Sequence, residues 1–405
     1  MQMETCVYIG EKVKRRLLVI EGKSQMGGFL TEEQSLLQRS ISGFLDSHYG
    51  FDARQKPDAG GGWRPEIWHA FAQELGVLGV AVPRSLGGFC GSAKDVGLVM
   101  EQLGRALVIE PFLQTAVIAS GFLAGAQCAL GEALLGEIVA GSAIFAFAQA
   151  EPQSRFSLRD IRTTATQTSA GWRLDGLKSV VVAAPLATHF IVTARTGGEQ
   201  WADHGVSVFA VPANVPGIEL QSYSTVDGRR AADVRFHGVE IDRSWLIGEE
   251  HNALPLVKNV VDRALAALAA ECVGCMRSML DQTIAYAVQR RQFGQPIGNF
   301  QVLQHRMVDM YMAIEEASAL ASLAAEAIDD QAADQAAACA AAKVKAGEAA
   351  RFVGQSAIQI HGGMGMTDEL AIGHYFRRTT TLENEFGSTD YHLTRYADLI
   401  MHEVS

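Results

Sequence analysis

A group of carboxylates surrounds a glycine close to the C-terminus. The segment TLENEFGSTDYHL, residues 381–393, places Glu383, Glu385 and Asp390 around Gly387. A carboxylate beside a glycine, near the end of a long helical region, is a candidate catalytic base. The alternative is that these side chains are solvated surface charges, and the sequence must say which of the two applies.

A second segment is rich in hydrogen-bond donors. The run QRRQFGQPIGNFQVLQHR, residues 289–306, places Arg290, Arg291 and Gln292 beside an aromatic residue and a turn built from glycine and proline. Arginine and glutamine in this arrangement suit a pyrophosphate or a nucleotide. The alternative is a solvated helix C-terminus whose arginines compensate the helix dipole.

A third segment, QIHGGMGMT at residues 359–367, has three glycines within four positions. Backbone N–H groups that no Cβ atom covers form a concavity that accepts anions. The alternative is the cap and turn that end a helix. His361 alone is predicted to be a packed histidine and not a catalyst.

Two further patterns favour structure over chemistry. Cys272 and Cys275 form a C-x-x-C, but no second Cys or His pair lies at a spacing that would complete a zinc site. Their segment is helical, so we predict two small apolar residues on one face. GGFCGS, residues 87–92, has neither a preceding strand nor a following Lys-Ser/Thr, which excludes the nucleotide-binding loops and leaves a helix–helix turn.

Composition narrows the class of protein. The 405 residues include 48% apolar residues and carry a formal net charge of −11, which indicates a globular chain of two or three domains. An acidic balance argues against nucleic-acid binding. No apolar run approaches the roughly 20 residues that span a bilayer, so no membrane partner is predicted. Six cysteines without a signal peptide predict reduced thiols and a cytoplasmic protein.

The helices and strands that position these residues are predicted to form three regions, which follow a short N-terminal segment. Residues 1–25 differ in residue pattern from the helix that follows. They are predicted to be an N-terminal extension or to precede the true start of the protein. Residues 26–141 are predicted to be helical, and Thr31 with Gln34 has capping-box spacing. Residues 142–250 contain short runs rich in Val, Ile, Phe and Thr, which predict a small antiparallel β domain. Residues 251–405 are helical and rich in alanine, with a break at DDQAADQ.

Taken in order, these segments resemble the acyl-CoA dehydrogenase family. The matching motifs include GVAVPRSLGG and MEQLGRAL in the first region, DGLKS and VRFHGVEID in the second, and RRQFGQPIGNFQ and QIHGGMG in the third. The likeness covers about residues 30–400. Within the family, the segments are similar to the small subunit of pimeloyl-CoA dehydrogenase and its relatives, which pair with a larger, similar subunit.

The resemblance implies an α+β fold with an N-terminal helical domain, a middle antiparallel β-barrel domain and a C-terminal four-helix bundle. It implies FAD as cofactor, α,β-desaturation of an acyl-CoA substrate, an electron-transfer flavoprotein as electron acceptor, and a tetramer. In such a tetramer the adenosine end of each FAD reaches a neighbouring subunit. The residues that match the family's FAD contacts are Arg290, Gln292, Phe293, Gln301, Gln359, Gly363 and Ser388.

The catalytic base departs from the family pattern. Counting forward from Phe376-Arg377 places Phe386 where the family has its glutamate, and Glu385 is one residue early. The carboxylates of residues 381–393 are therefore predicted to be solvated charges that do not touch the substrate. Some members place the base before an arginine on the first long helix of the last domain, and the matching residue is Asp262. Burial within an apolar helix would raise its pKa toward that of a working base. The alternative is a salt bridge from Asp262 to Arg263 or to a neighbouring helix.

The same register assigns Arg263, beside Asp262, to substrate binding. The flavin-ring side also departs from the family. Ala150 lacks the usual hydroxyl, Phe156 replaces a serine, and valines at 180–182 replace a Trp-Ile-Thr. A valine donates no side-chain hydrogen bond, although its backbone N–H could still reach a flavin.

Two functions follow from these departures. One is a self-sufficient acyl-CoA dehydrogenase homotetramer that uses Asp262. The other is a weakly catalytic subunit that completes FAD sites in a heterotetramer with a related chain. The resemblance favours medium-chain, dicarboxylyl or ring-bearing acyl groups, and loss of the usual base leaves room for steroid side chains. A non-redox or DNA-associated role would need a basic surface domain, which the acidic composition does not suggest.

Overall fold

The computed structural model describes residues 30–51, 63–126 and 128–403. The predicted N-terminal extension, residues 1–25, lies outside these ranges. The described chain runs from helices through a sheet to long helices. A continuous apolar core extends from the N-terminal helices into the C-terminal ones, and a second apolar core lies within the sheet region.

The N-terminal region is helical, as predicted. Its α-helices are α1 (Glu32–His48), α2 (Pro65–Gln73), α3 (Ala93–Arg105), α4 (Ser120–Ala126) and α5 (Ala129–Ala140). The capping box predicted at Thr31 is present, since the Thr31 hydroxyl accepts from Gln34 N and the Gln34 side chain accepts from Thr31 N. The GGFCGS turn is also confirmed. A short 3₁₀ segment precedes it and Gly87 has a φ of +85°, a conformation that glycine adopts without strain.

A π-helical segment, Leu113–Ala119, leads directly into α4. Wide turns of this kind are rare and frequently occur at functional sites. Here the segment is fully buried, and it packs against both the first strand of the sheet and the first long C-terminal helix. It therefore joins all three predicted regions.

The middle region is a single eight-stranded sheet, and the predicted barrel is wrong. Hydrogen bonds connect the strands in the order β6-β7-β3-β2-β4-β5-β8, with β1 added to β4, so the sheet is open and β6 and β8 form its edges. The prediction of purely antiparallel pairing is also wrong, because β1 and β2 each pair with β4 in parallel. The strands are β1 (Phe145–Ala148), β2 (Thr164–Gln167), β3 (Gly171–Val182), β4 (His189–Arg195), β5 (Val206–Pro212), β6 (Ile218–Ser224), β7 (Arg230–Asp242) and β8 (Leu246–Ile247).

The physical reason lies at the edges. A barrel needs every strand to be paired on both sides. Strand β6 is mostly exposed along its length and carries polar side chains such as Glu219 and Gln221, a composition typical of an edge that faces solvent. Strand β8 is only two residues long and cannot extend a ladder far.

The C-terminal region consists of long helices that pack side by side. They are α6 (Leu254–Gln289), α7 (Gln301–Asp329), α8 (Gln335–His361), α9 (Ala371–Asn384) and α10 (Thr389–Glu403), and a small hairpin, β9 (Arg291–Gln292) and β10 (Gln295–Pro296), separates α6 from α7. The break predicted at DDQAADQ separates α7 from α8. Cys272 and Cys275 are buried in α6, as the packing interpretation predicts.

Helices α3 and α6 approach each other through their backbones. A Cβ atom built on Gly104 would lie 2.1 Å from the Glu271 carbonyl oxygen, and one built on Gly274 would lie 2.0 Å from the Glu101 carbonyl oxygen. Neither separation is possible without moving a helix. Glycine at these two positions thus sets the distance between the N-terminal helices and the long helix α6.

We therefore expect Gly104→Ala to destabilise the protein by about 2 kcal/mol or more, because the added methyl group overpacks a backbone contact. Gly136→Ala is the matched control. Gly136 lies inside α5 with nothing within 4 Å of its added Cβ, so this change should stabilise the helix by roughly 0.5–1 kcal/mol. Urea unfolding of both variants tests the contact, and equal midpoints would contradict it.

No helix among the described residues is long and apolar enough to cross a membrane.

Candidate active site

The loop that carries the first candidate base is a turn between two helices. Helix α9 ends at Asn384, and Phe386 and Gly387 have φ values of +58° and +129°. A left-handed conformation is unusual for phenylalanine and must be held by its surroundings. Gly387 lies against the ring of His392, where a Cβ atom would be 2.5 Å from Nε2.

Glu385 points away from this turn and into the protein. Its carboxylate accepts a hydrogen bond from Arg229 Nη2 at 2.9 Å and lies 3.6 Å from Arg378 Nη1, while Gln114 of the π-helical segment donates at 3.4 Å. Burial alone would raise the pKa of Glu385, but Arg229 and Arg378 hold it below the ordinary value. The interpretation of Glu385 as a solvated charge is wrong, because its side chain is only 10% exposed.

Arg378 is the centre of a buried ion cluster, here called the Arg378 cluster: Asp227, Arg229, Glu271, Arg378 and Glu385. Its guanidinium donates to Glu271 through Nε and Nη2 at 2.6 and 2.7 Å, and to Asp227 through Nη1 at 2.9 Å. Burial raises the pKa of Glu271, whereas Arg229 and Arg378 overcome burial and lower the pKa of Asp227. Two-pronged pairs of this kind are directional as well as strong.

The other two carboxylates of the opening segment also have structural positions. Glu383 is paired with Arg351 and accepts from the Thr389 hydroxyl, so it is not a free solvated charge either. Asp390 is exposed, as its interpretation as a surface charge predicts. Below them, the buried Lys343 amine donates to the carbonyl oxygens of Leu382 and Glu383 and so caps the end of α9.

Phe386, which the sequence register assigns to the base position of the family, faces other aromatic rings. Its ring centroid lies 6.2 Å from that of Phe147 on β1, and Phe147 lies 5.2 Å from Phe122 on α4. The His392 Nε2–H donates to the Phe386 carbonyl oxygen at 3.0 Å. Burial lowers the pKa of His392 to about 4, so the ring is neutral and the bond persists at physiological pH. The result is an aromatic wall that joins all three regions.

Asp262 lies in the apolar part of α6, 4% exposed. Its Oδ1 is 2.7 Å from Arg395 Nη2 of α10, a close ion pair although not an aligned hydrogen bond. Burial raises the pKa of Asp262, and Arg395 opposes that rise in part. Two residues earlier, Val260 packs against Gly121 of α4. Arg263 is half-buried, and its Nε donates to the Asn259 side chain at 3.2 Å.

The donor-rich segment after α6 forms an exposed hairpin. Arg290, Arg291 and Gln292 are exposed, and Phe293 is 91% exposed with a φ of +52°. The interpretation as a helix C-terminus is wrong for Arg291 and Gln292, which form β9. The Phe293 ring lies edge-on to Phe300 at 6.1 Å and leaves most of its surface open to another molecule.

The glycine turn after α8 is equally open. Gly362 and Gly363 have nothing within 4 Å of an added Cβ, so a ligand can approach their backbone. Gln301 and Gln359 are exposed beside these segments, and Ser388 accepts from Tyr391 N at 3.3 Å as a helix cap. His361 is packed as predicted, with its ring stacked on Tyr286 at 4.3 Å. Exposed arginine, amide and glycine N–H groups fit the anionic pyrophosphate and the adenosine end of FAD.

The part of the sheet that would face a flavin ring offers fewer donors. Glu151 and Lys178 form a buried pair at 2.8 Å, and Lys178 with other donors lowers the pKa of Glu151 to about 2 against the effect of burial. The sequence leaves the backbone N–H of Val180 as a possible donor to a flavin. In the structure this N–H donates to Asp233 Oδ1 at 2.9 Å. Ala150 adds no hydroxyl. The ring side therefore fits a flavin less well than the adenosine side does.

An aromatic pair crosses from the sheet region to α10. The ring of Phe156 lies 5.4 Å from that of Tyr391. Phe156 is the residue that replaces a serine in the motif AEPQSRFSL. The serine position is thus filled by a packed ring, which cannot donate a hydrogen bond.

Comparison with known proteins identifies the chain. Models of the acyl-CoA dehydrogenase N-terminal, middle and C-terminal domains match residues 31–142, 146–243 and 255–401. The chain belongs to the acyl-CoA dehydrogenase family. It is a flavin-dependent oxidoreductase with FAD as cofactor, and its three-part fold is that of the family.

Similar proteins include a curated relative and two solved structures. The chain is 29% identical over 350 residues to the acyl-CoA dehydrogenase IpdE2 of Mycobacterium tuberculosis, covering 86% of this chain and 91% of that one. The Tcur3481-Tcur3483 steroid ACAD G363A variant is 27% identical with a TM-score of 0.82, covering 92% and 99%. The ChsE4-ChsE5 complex from Mycobacterium tuberculosis is 25% identical with a TM-score of 0.82, covering 92% and 98%.

Sequence reasoning missed the Arg378 cluster, although a signal for it exists. Glu271 stands in the apolar run AALAAECVG of α6, just as Asp262 stands in an apolar stretch of the same helix. A charged residue with apolar neighbours needs a buried partner. The sequence shows this need for Glu271, but the partner is 107 residues away in Arg378.

Removing Arg378 should therefore be costly. In Arg378→Ala, buried Glu271 loses its ion-pair partner and Asp227 is left with Arg229, so we expect a loss of about 3–5 kcal/mol in the free energy of unfolding. The adjacent Arg377→Ala is the matched control, because Arg377 pairs with Asp368, which is 79% exposed, and surface pairs contribute under about 1 kcal/mol. Urea midpoints of the two variants should differ widely, and similar midpoints would show that the cluster does not stabilise the fold.

Proposed function

We propose that this chain catalyses FAD-dependent α,β-dehydrogenation of an acyl-CoA thioester with a medium-chain, dicarboxylyl or ring-bearing acyl group, and that electrons pass to an electron-transfer flavoprotein. The observation that carries the proposal is the position of Phe386. The fold of the family is complete, yet the residue at its base position is apolar and Glu385 is committed to Arg229 and Arg378. The base must therefore come from another element.

Asp262 is the proposed base. Its burial and raised pKa support the role, because a carboxylate in a desolvated position takes a proton more readily than a solvated one. Arg395 holds the carboxylate in place and must yield or turn when the substrate binds. Asp262 would remove the α-proton, and bound FAD supplies the acceptor for the β-hydrogen.

The acyl group would lie along the aromatic wall of Phe122, Phe147 and Phe386. Rings on three separate elements give a broad apolar surface, which suits a ring-bearing acyl group better than a short one. The similar steroid ACAD supports this substrate class. Arg263 is proposed to bind the anionic CoA portion, since its guanidinium is half-buried in the first half of α6 and, among the described residues, pairs only with the neutral amide of Asn259.

FAD is proposed to be held at its adenosine end by the exposed hairpin and glycine turn. The residues are Arg290, Gln292, Phe293, Gln301, Gln359 and Gly363, with Ser388 beside the turn after α9. Their exposure supports a shared site, because in a tetramer these groups would face the cofactor of a neighbouring subunit. Phe293 would stack on an apolar part of that cofactor.

We expect Asp262→Asn to slow flavin reduction by substrate about 10²–10⁴-fold while flavin content stays unchanged, because only the proton acceptor is lost. Asp309→Asn on the exposed face of α7 is the control and should react as the unmodified protein does. Rapid-mixing absorbance at the flavin band measures both. A rate for Asp262→Asn within about tenfold of the unmodified protein would remove Asp262 from the mechanism.

A second function, that of a partner subunit, has its own support. The Val180 N–H is occupied by Asp233, Phe156 packs on Tyr391, and Ala150 lacks a hydroxyl, so this chain offers few donors to a flavin ring. The ChsE4-ChsE5 complex is a solved assembly of similar chains. In such an assembly this chain would complete the adenosine end of a FAD that the other subunit holds.

Flavin content separates the two functions. If this chain is a partner subunit, it should purify alone with well under one FAD per chain and gain flavin and activity when co-expressed with a similar dehydrogenase chain. Absorbance of released flavin against protein concentration measures the ratio. About one FAD per chain, together with dehydrogenase activity of the chain alone, would exclude the partner role.

A further inference from the structure

A cavity of about 900 Å³ lies between the N-terminal helices α1 and α3 and the C-terminal helices α6, α7 and α9. It is distinct from the candidate active site. The part of α6 that lines it begins at Arg277, 15 residues beyond Asp262, which corresponds to roughly 22 Å along a helix. Phe386, Phe147 and Asp262 are not among its lining residues. A volume of this size accommodates a small organic molecule.

Glu101 supplies an unsatisfied acceptor in the wall of this cavity. The residue is 3% exposed, and its Oε1 lies 3.2 Å from Arg277 Nε. Its Oε2 is buried and has no hydrogen-bond partner among the described residues. A buried carboxylate oxygen without a partner carries a cost that a ligand N–H or ammonium group would remove.

The charges of the lining favour a cationic ligand. Arg105 is paired with Asp281 at 3.0 Å, and Arg277 is paired with Glu315, just outside the lining, at 2.8 Å. Arg277 is also paired with Glu101 at 3.2 Å, so the charged lining residues that remain are one base, Arg39, and two acids, Asp46 and Glu369. The same surplus of acid disfavours an acyl-CoA, whose phosphates are anionic.

Aromatic rings complete the chemistry. Tyr311 and Tyr375 come from α7 and α9, and Phe51 follows α1. Aromatic faces attract organic cations as well as covering their apolar parts. Carboxylates together with aromatic rings form a typical environment for an amine.

We propose that this cavity binds a protonated organic amine: the Glu101 side chain turns its buried Oε2 toward the cavity to accept from the ammonium group, and Tyr311, Tyr375 and Phe51 cover the apolar body. The site is separate from acyl-CoA dehydrogenation and does not depend on which of the two proposed functions holds. It is a second ligand site at the junction of the N-terminal and C-terminal helices.

Isothermal titration of the full chain with tyramine, hexylamine and spermidine tests the proposal, with 4-hydroxyphenylacetate as an anion that matches tyramine in its ring. At least one amine should bind with one site per chain, and the anion should not. Glu101→Gln should weaken amine binding tenfold or more, while Glu199→Gln, an exposed residue of the sheet region, should leave binding unchanged.

A second variant covers the case in which Glu101→Gln misfolds. Ser42→Trp fills the cavity from half-exposed Ser42 on α1 and should abolish amine binding without changing flavin content or dehydrogenase activity. The proposal is overturned if none of the three amines binds, if the anion binds equally well, or if amine binding survives either Ser42→Trp or a folded Glu101→Gln.

Discussion

The hydrogen bonds of Arg378 join three separate parts of the chain. They connect α9, which carries Arg378, to Glu271 of α6 and to Asp227 in the turn between β6 and β7. Each of these side chains is buried, so removing any one charge leaves another uncompensated in a poorly solvated position. The Arg378 cluster stabilises the fold only when every one of its charges is present. Its hydrogen bonds hold the sheet against the long helices.

The same cluster determines what the neighbouring turn can do. Glu385 immediately precedes Phe386, the position that the register assigns to the base. Its carboxylate points into the protein, where it is paired with Arg229 and Arg378. Phe386 then adopts a left-handed conformation, held by His392 and permitted by Gly387, and its ring joins the aromatic wall with Phe147. Under the proposed function, the ring of Phe386 suits a broad apolar substrate and leaves the role of the base to another element.

Local features could be predicted from the sequence, whereas long-range ones could not. The capping box at Thr31 and the break near DDQAADQ depend on residues within a few positions of one another, and both are confirmed. The closed barrel was wrong because closure depends on whether β6 meets a partner strand, which no local pattern records. The burial of Glu385 was missed because Arg229 is 156 residues away, and the Val180 N–H is occupied by a side chain 53 residues away. The family register places Phe386 at the base position, which stays a prediction, and it does not indicate where the side chains of Glu383 and Glu385 lie.

The claim that Glu385 serves structure and not proton transfer is tested most directly by anaerobic flavin reduction in Glu385→Gln. The substrate is an acyl-CoA that the unmodified protein, alone or in its complex, oxidises. Because Glu385 faces Arg229 and Arg378, we predict a less stable protein whose folded, flavin-loaded fraction is reduced within about tenfold of the normal rate. A loss of about 10²–10⁴-fold in that fraction, with flavin content unchanged, would contradict the structural role and make Glu385 the base.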